Sequence, residues 1–261
     1  MDIFKYIRTF LHYILTPLRM ILCFLINNIL HKISEQCETL TTLYMFALLL
    51  GKSLMYLLGV TVEIDEEDLI KYSKFLYSDK KLIAVVNHTS LIDGYVLLAT
   101  FERYSVVLLK NPIYKWLGYS EIVHQKYRNI FVERNKTTKN IIDKVSNRKP
   151  GEPILFVAPG SGNTPKNPDN ITEFHGNGAF VGKFSILPVT LHYEDESIHH
   201  NQDNGESFIH STLKLFVLNN NYKIKVKVGD IIEPDEKESI DEYKQRAYDI
   251  INKQYQDMKK D

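Results

Sequence analysis

The chain has 261 residues, enough for one domain with a sizeable core and a short attachment segment. Its 32 Lys and Arg residues balance 32 Asp and Glu residues, so the formal net charge is zero, which argues against a nucleic-acid partner. The two cysteines, Cys23 and Cys37, are too few for a disulfide scaffold and lack metal-ligand spacing. We therefore expect a reducing, cytosolic environment.

The first apolar segment, residues 3–30, has the spacing of an amphipathic helix. Its apolar positions recur every three or four residues, while polar residues such as His12 and Arg19 lie on another face. Such a helix can lie in the interface of a bilayer or pack on its own domain. A cleaved signal peptide is not expected, because Asp2 weakens the basic head and no small-residue cleavage site follows.

The second apolar segment, residues 39–62, contains a single charge, Lys52. The segment is long enough to span a bilayer if it is helical throughout. A charge in its middle would cost roughly 3 kcal/mol in hydrocarbon. We therefore expect an embedded or re-entrant helical pair, with residues 1–62 as a membrane-associating segment, rather than two clean spans.

Strand and helix patterns alternate after residue 60. Strands are predicted at residues 60–64, 82–86, 104–109, 130–132, 154–158, 186–191 and 223–228. Helices are predicted at residues 65–77, from about Ser90 onward, and at 136–145, 178–184, 207–218 and 240–258. The alternation predicts an α/β domain over residues 63–261, with a mixed, mostly parallel sheet flanked by helices. Pro188 indicates an edge strand or a bulge.

A polar turn follows the predicted strand at residues 82–86 and carries His88 and Asp93. Ser90 is a good N-cap for the next helix. Active sites of α/β proteins usually lie at the carboxyl ends of strands. The turn is therefore a candidate site, although loop His and Asp residues are also commonly solvated or cap helices.

The five-residue separation allows the Asp93 carboxylate to accept a hydrogen bond from one nitrogen of the His88 imidazole. The other nitrogen could then deprotonate a hydroxyl as it attacks a carbonyl group. This chemistry needs no metal, and no set of residues with zinc spacing is present. Ser90 is a rival nucleophile without a Gly-x-Ser-x-Gly elbow, so we interpret it as a cap or an orienting hydroxyl. The pair His199 and His200 is predicted to be solvated.

Further candidates for substrate binding follow other predicted strands. Lys110 and Arg134 would share an edge with His88 if the sheet is parallel there, and could hold a phosphate, with salt bridging as the alternative. The loop after residue 158, with Gly160 and Ser161, lacks the Gly-Lys-Ser/Thr ending of a P-loop. It remains a candidate for a weak anion site or a tight turn.

Four blocks in order resemble those of the glycerolipid acyltransferases of the lysophosphatidate and glycerol-3-phosphate type. Residues 87–93 (Asn-His-Thr-Ser-Leu-Ile-Asp) resemble the family's His-x4-Asp block, and residues 130–134 (Ile-Phe-Val-Glu-Arg) resemble its second block, which ends in a phosphate-binding arginine. Residues 174–189 resemble the stretch leading into its Ile/Val-Pro-Val block, and residues 226–231 resemble a late strand and glycine.

The resemblance implies that His88, oriented by Asp93, activates a lipid hydroxyl that attacks the thioester of acyl-CoA, without a covalent acyl-enzyme. It implies 1-acylglycerol-3-phosphate as the acceptor, acyl-CoA as co-substrate, and neither a cofactor nor a metal. It also implies an N-terminal helical pair that seats the active site at a membrane surface. The cytosolic side is the expected one, given the cysteine content.

The third block departs from the family pattern Phe-Pro-Glu-Gly-Thr-Arg-Ser. Pro159 replaces the glutamate and Gly162 replaces the arginine. The loss of one cationic ligand should weaken phosphomonoester recognition by roughly 1.5–3 kcal/mol. A head-group lysophospholipid or a neutral glyceride therefore competes as the acceptor. Two further hypotheses stay open: a catalytically lapsed lipid-binding protein of the same fold, and an esterase that uses Ser90.

Overall fold

The computed structural model describes residues 16, 18, 21, 22, 25, 26, 28, 29, 32, 33, 35–90, 92–109, 125–132, 138–160, 167, 169–195, 199 and 222–260. Its helices are α1 (Leu40–Leu58), α2 (Glu66–Leu76), α3 (Asp93–Thr100), α4 (Thr138–Ser146) and α5 (Ile240–Lys260). Its strands are β1 (Val60–Ile64), β2 (Leu82–Val86), β3 (Tyr104–Leu109), β4 (Ile130–Val132), β5 (Ile154–Val157), β6 (Ser185–Tyr193) and β7 (Tyr222–Val228).

The strands form a seven-stranded sheet in the order β1-β7-β6-β2-β5-β3-β4. Every neighbouring pair is parallel except β6 and β7, which are antiparallel. The predicted mixed, mostly parallel sheet is thus confirmed. Strands β2 to β6 all end at one side of the sheet, called here the carboxyl edge, and begin at the opposite amino edge.

Helices cover both faces of the sheet. Helices α1, α2 and α3 pack on the face that carries Leu82, Ala84 and Val86, and helices α4 and α5 pack on the face that carries Ile83 and Val85. All five residues of β2 are buried because successive side chains of a strand point to opposite faces. The predicted flanking helices are confirmed, and β2 lies deep in the three-layer core.

Helix α1 is shorter than the apolar segment that contains it. Thr39 caps its start through a 3.2 Å hydrogen bond from Thr42 N to Thr39 Oγ1. Gly59 ends it with a left-handed backbone (φ 68°), and the chain continues as β1. Among the described residues, α1 is the one helix long and apolar enough to cross a membrane, by length and composition alone.

The first predicted helix is described only in part. The described residues from 16 to 36 have helical backbone, which agrees with the predicted helical spacing. Their large apolar side chains are exposed at Leu18, Ile21, Leu22, Leu25 and Ile29. These positions repeat every three or four residues, so they lie on one face of a helix.

Two predicted features around β6 are wrong. Residues 178–184 form turns instead of a helix, because the hydrogen bond from Val181 N to Asn177 O is followed by Lys183 with a positive φ of 43°. Of the two alternatives that Pro188 indicated, the edge strand is wrong, since β6 lies between β2 and β7. Pro188 is tolerated there because the antiparallel pairing with β7 begins only at Val189.

Candidate active site

The turn after β2 starts from a fixed point at Asn87. Its side chain is buried, and its Nδ2 donates to Leu191 O at 2.8 Å while its Oδ1 accepts from Leu191 N at 2.7 Å. The amide thus reproduces the pair of bonds that a backbone would make with β6. The position of the following His88 is therefore tied to two adjacent strands.

Asp93 closes the turn and begins helix α3. Its Oδ2 accepts hydrogen bonds from the backbone N–H groups of Thr89 at 2.9 Å and Ser90 at 3.1 Å. Ile92 occupies the N-cap position, so the prediction that Ser90 caps the helix is wrong. A negative charge in the first turn of a helix also interacts favourably with the helix dipole.

His88 and Asp93 form the predicted pair. His88 Nδ1 lies 2.5 Å from Asp93 Oδ2. The His88 side chain is 39% exposed, whereas that of Asp93 is 5% exposed. When the ring is neutral, this hydrogen bond holds its proton on Nδ1 and leaves Nε2 as the acceptor. The arrangement presents a fixed, accessible base beside a buried carboxylate.

The surroundings of His88 shift its pKa in two opposite directions. Burial lowers the pKa of the imidazole, while the hydrogen bond to Asp93 and the charge of that carboxylate raise it. The upward contributions together are larger, and the pKa of His88 lies above its usual 6.5. The ring is therefore a stronger base than a histidine in water.

Tyr193, at the end of β6, completes the environment of Asp93. Its hydroxyl donates to Asp93 Oδ1, the carboxylate oxygen that His88 does not use. Burial, the charge of Asp93 and the bond to Asp93 raise the pKa of Tyr193 far above its usual value, and a hydrogen bond with Ser90 lowers it. Tyr193 therefore stays protonated and remains a donor to Asp93.

The roles of Tyr193 and Asn87 were not predicted from the sequence. Asn87 lies inside the motif, but its partner Leu191 is 104 positions away in the chain. Tyr193 lies 100 positions from Asp93. The sequence signal that could have indicated Tyr193 is its position, as an aromatic residue with a hydroxyl group, close to the end of a predicted apolar strand.

Ser90 is buried and its backbone N–H donates to Asp93, while its role as an orienting hydroxyl stays a prediction. Only 1% of the residue is exposed, and its side chain is hydrogen bonded to Tyr193. A nucleophile needs access to its substrate, so this burial argues against an esterase that uses Ser90. His199 is buried rather than solvated, and its ring packs edge-on against Tyr193 with centroids 5.4 Å apart. His200 lies outside the described residues.

Of the predicted substrate-binding residues, the structure describes Gly160. It follows β5, the neighbour of β2, at the carboxyl edge, and it forms an isolated antiparallel bridge with Phe174. A Cβ atom at Gly160 would lie 3.3 Å from Thr172 O, so a larger residue would strain this contact. The bridge is extended by a hydrogen bond from His175 N to Pro159 O at 2.8 Å.

Lys110, Arg134 and Ser161 lie outside the described residues. Lys110 and Arg134 were expected to share an edge with His88 only if the sheet is parallel there. The sheet is parallel at this point, since β3 and β4 run parallel to β5 and end at the carboxyl edge. Lys110 follows β3 directly in sequence, and Arg134 follows β4 by two positions. Their contact with a phosphate stays a prediction.

Comparisons with known proteins identify an acyltransferase family model that matches part of the chain and a solved structure with a similar fold. A family model described as "Acyltransferase" matches residues 65–192, which contain the His88 and Asp93 turn. The crystal structure of the 1-acyl-sn-glycerophosphate (LPA) acyltransferase PlsC from Thermotoga maritima is similar with a TM-score of 0.66 and 15% sequence identity, over 98% of this chain and 99% of that one. No curated protein matches significantly. Family model and shared fold together confirm the resemblance to the glycerolipid acyltransferases: residues 65–192 match the acyltransferase family, and the fold is similar to that of PlsC.

Proposed function

We propose that the protein is a membrane-associated glycerolipid O-acyltransferase that transfers a fatty acyl group from acyl-CoA to 1-acylglycerol-3-phosphate. The observation that carries the proposal is the 2.5 Å hydrogen bond between His88 Nδ1 and Asp93 Oδ2, with the ring 39% exposed. This geometry suits a general base that works on a hydroxyl group.

In the proposed reaction, His88 Nε2 removes the proton of the acceptor hydroxyl as its oxygen attacks the thioester carbonyl carbon. Asp93 stabilises the imidazolium that forms. The tetrahedral intermediate collapses, the C–S bond breaks, and the thiolate takes the proton from Nε2. The products are an ester and a free thiol, without a covalent acyl-enzyme, a metal or a cofactor.

We propose 1-acylglycerol-3-phosphate as the acceptor because residues suited to bind its phosphate are expected at the carboxyl edge of the sheet. We assign phosphate binding to Lys110 and Arg134, which follow β3 and β4 in sequence, and to the loop containing Gly160 and Ser161. The similar protein from Thermotoga maritima is an LPA acyltransferase, which supports the same acceptor. Because Gly162 replaces a cationic residue of the family pattern, a head-group lysophospholipid or a neutral glyceride is the second candidate acceptor.

Membrane association is proposed for residues 1–62, ahead of an acyltransferase domain at residues 63–261. Two observations support it: the exposed apolar side chains of residues 18–29, and the apolar residues on α1 that face away from α3, including Met45 (68% exposed) and Tyr56 (84% exposed). A surface of this kind interacts favourably with lipid. We place the active site on the cytosolic side, where both substrates can be drawn from the membrane without moving acyl chains through water.

The test is an assay of membranes containing the protein with radiolabelled acyl-CoA and a panel of acceptors. The panel comprises 1-acylglycerol-3-phosphate, lysophosphatidylcholine and diacylglycerol. We expect labelled phosphatidate as the main product. A labelled product from another acceptor would redirect the substrate assignment. Folded protein that binds lipid and forms no product from any acceptor would instead support a lapsed lipid-binding protein, and release of free fatty acid would support an esterase.

A further inference from the structure

A cavity of ≈ 390 Å³, lined mostly by charged residues, lies at the amino edge of the sheet, between helix α4 and the segment that leads into β5. Its lining includes Arg128, Lys144, Asn147, Arg148 and Glu152. His88 follows the other end of β2, whose five residues span about 16 Å. The cavity is therefore separate from the proposed catalytic centre.

Arg148 supplies a fixed positive charge at this cavity. The residue is 4% exposed, and its guanidinium donates to backbone carbonyls rather than to a carboxylate. The acceptors are the carbonyl oxygens of Phe75, Leu76, Ser78, Lys80 and Glu152. Carbonyl dipoles satisfy the donors of a guanidinium but leave its net charge in place. Arg148 therefore contributes positive potential without being available as a ligand.

Lys144 is the cation of this cavity whose charge is least offset by hydrogen bonds or ion pairs. Among the described residues it forms no hydrogen bond or ion pair, and it is half-buried on the cavity side of α4. Burial and the neighbouring charge of Arg128 lower the pKa of Lys144 to about 8, against a smaller upward effect of Glu152. The lowered pKa therefore reports an ammonium that is partly removed from water and lies near another positive charge, with too little negative charge close by to offset both effects.

The carboxylates near the cavity leave this positive charge in excess. Glu152 pairs with Arg128 at 2.6 Å and also accepts from Lys149 N at 3.0 Å. Asp143 also lines the cavity, but it is exposed to solvent. The cavity thus has three cations and two carboxylates, of which Glu152 is already paired and Asp143 is exposed to solvent. The excess of positive charge favours the binding of an added anion.

We propose that this cavity binds a phosphate group, with the ammonium of Lys144 and the guanidinium of Arg128 as its ligands. Lysine binds phosphate as a point charge and arginine as a fork of donors. The cavity volume exceeds that of a bare phosphate ion, so a phosphate ester also fits. Because the site lies at the amino edge, its occupant acts as an effector or anchor and not as the acyl acceptor.

The test measures thermal unfolding of the full-length protein in detergent during titration with inorganic phosphate at constant ionic strength. Lys144→Gln removes the proposed ligand, and Lys139→Gln, at an exposed position of the same helix, is the matched control. We expect saturable stabilisation of the wild type and of Lys139→Gln, with an apparent affinity at least tenfold weaker in Lys144→Gln. General salting effects of phosphate would be common to all three proteins.

A second readout does not depend on stability. At pH 8, Lys144 should be acylated by an amine reagent faster than Lys139, and phosphate should protect Lys144 selectively, as measured by peptide mass spectrometry. The proposal is wrong if phosphate neither stabilises the wild type saturably nor protects Lys144. It is also wrong if Lys144→Gln responds to phosphate as the wild type does.

The source of the phosphate group is distinguished by three parallel titrations with adenosine 3′,5′-bisphosphate, with glycerol 3-phosphate and with vesicles containing phosphatidate. Preferential binding of the first assigns the cavity to the nucleotide part of an acyl donor, and preference for either of the others assigns it to a lipid head group. Equal affinity of all for the wild type, lost in Lys144→Gln, assigns it to free phosphate.

Discussion

Tyr193 donates a hydrogen bond to Oδ1 of Asp93, while Oδ2 of the same carboxylate bonds His88 and two backbone N–H groups. The two oxygens are thus held from different directions, one by strand β6 and the other by the turn after β2. This arrangement fixes the plane of the carboxylate and, through it, the orientation of the imidazole.

Tyr193→Phe should lower kcat about tenfold, because one hydrogen bond worth about 1.4 kcal/mol no longer orients Asp93. KM should change little, since the hydroxyl is directed at Asp93. The matched control is Tyr243→Phe, whose buried hydroxyl donates to Phe184 O at 2.7 Å and Ile232 O at 3.0 Å. Both variants should lose stability in urea unfolding, but equal kcat values for the two would contradict a positioning role for Tyr193.

Asp93→Asn should reduce activity by about 10²–10⁴-fold and move its pH dependence. His88 must be neutral to accept a proton, and its pKa is raised above 6.5, so wild-type activity should fall as the pH is lowered through a midpoint above 6.5. In the variant, burial still lowers the pKa while the charge of Asp93 is gone. The midpoint should therefore move to lower pH.

Profiles of kcat/KM against pH measure this shift. Asp230→Asn serves as the control, because the side chain of Asp230 is 96% exposed and pairs only with a surface lysine among the described residues. The control should keep the wild-type profile. A midpoint that stays in place in Asp93→Asn would mean that Asp93 does not set the basicity of His88.

Asn87→Ala should lower the free energy of unfolding by about 1–3 kcal/mol, because both the N–H and the carbonyl of the buried Leu191 lose their partner. Activity per folded molecule should also fall, since Asn87 immediately precedes His88. Asn252→Ala removes a similar bond, from Ile171 N at 2.8 Å, and should cost comparable stability while retaining activity. If the two variants differ only in stability, Asn87 has no role in positioning the base.

Gly51→Val tests the contact between α1 and the helix that Asp93 begins. A Cβ atom at Gly51 would lie 2.5 Å from Ala99 N and 2.7 Å from Leu98 C, so the helices must separate. We expect a loss of about 1–3 kcal/mol in unfolding free energy, with lower activity. Gly94→Ala, where a Cβ meets nothing within 4 Å, should instead be neutral or stabilise α3 by about 0.5–1 kcal/mol. Equal stability of the two variants would contradict this packing.

The catalytic pair could be predicted from the sequence because His88 and Asp93 are joined by one short turn. Their contact needs only the local geometry of five residues after a buried strand. The remaining partners of Asp93 and Asn87 could not be predicted in this way. Tyr193 and Leu191 lie on β6, and β6 becomes the neighbour of β2 only through a strand order that does not follow the order of the chain.

The strand order also explains the error at Pro188, whereas the error at residues 178–184 has a local cause. A proline in a strand usually indicates an edge, but Pro188 occupies an interior strand at the point where pairing with β7 has not yet begun. The apolar side chains of residues 178–184 suggest a helix. The segment contains Gly178 and Gly182, however, and its backbone forms turns that do not extend into a helix. Buried strands such as β2 were predicted accurately because continuous apolar runs mark strands covered on both faces.

The most direct test of the central claim is the rate of acyl transfer from acyl-CoA to 1-acylglycerol-3-phosphate by the wild type and by His88→Ala, at equal amounts of folded protein. If His88 is the general base, the variant should lose about 10²–10⁴-fold in kcat while keeping its unfolding midpoint within the range of active variants. Undiminished transfer by folded His88→Ala would contradict the assignment of His88 as the base.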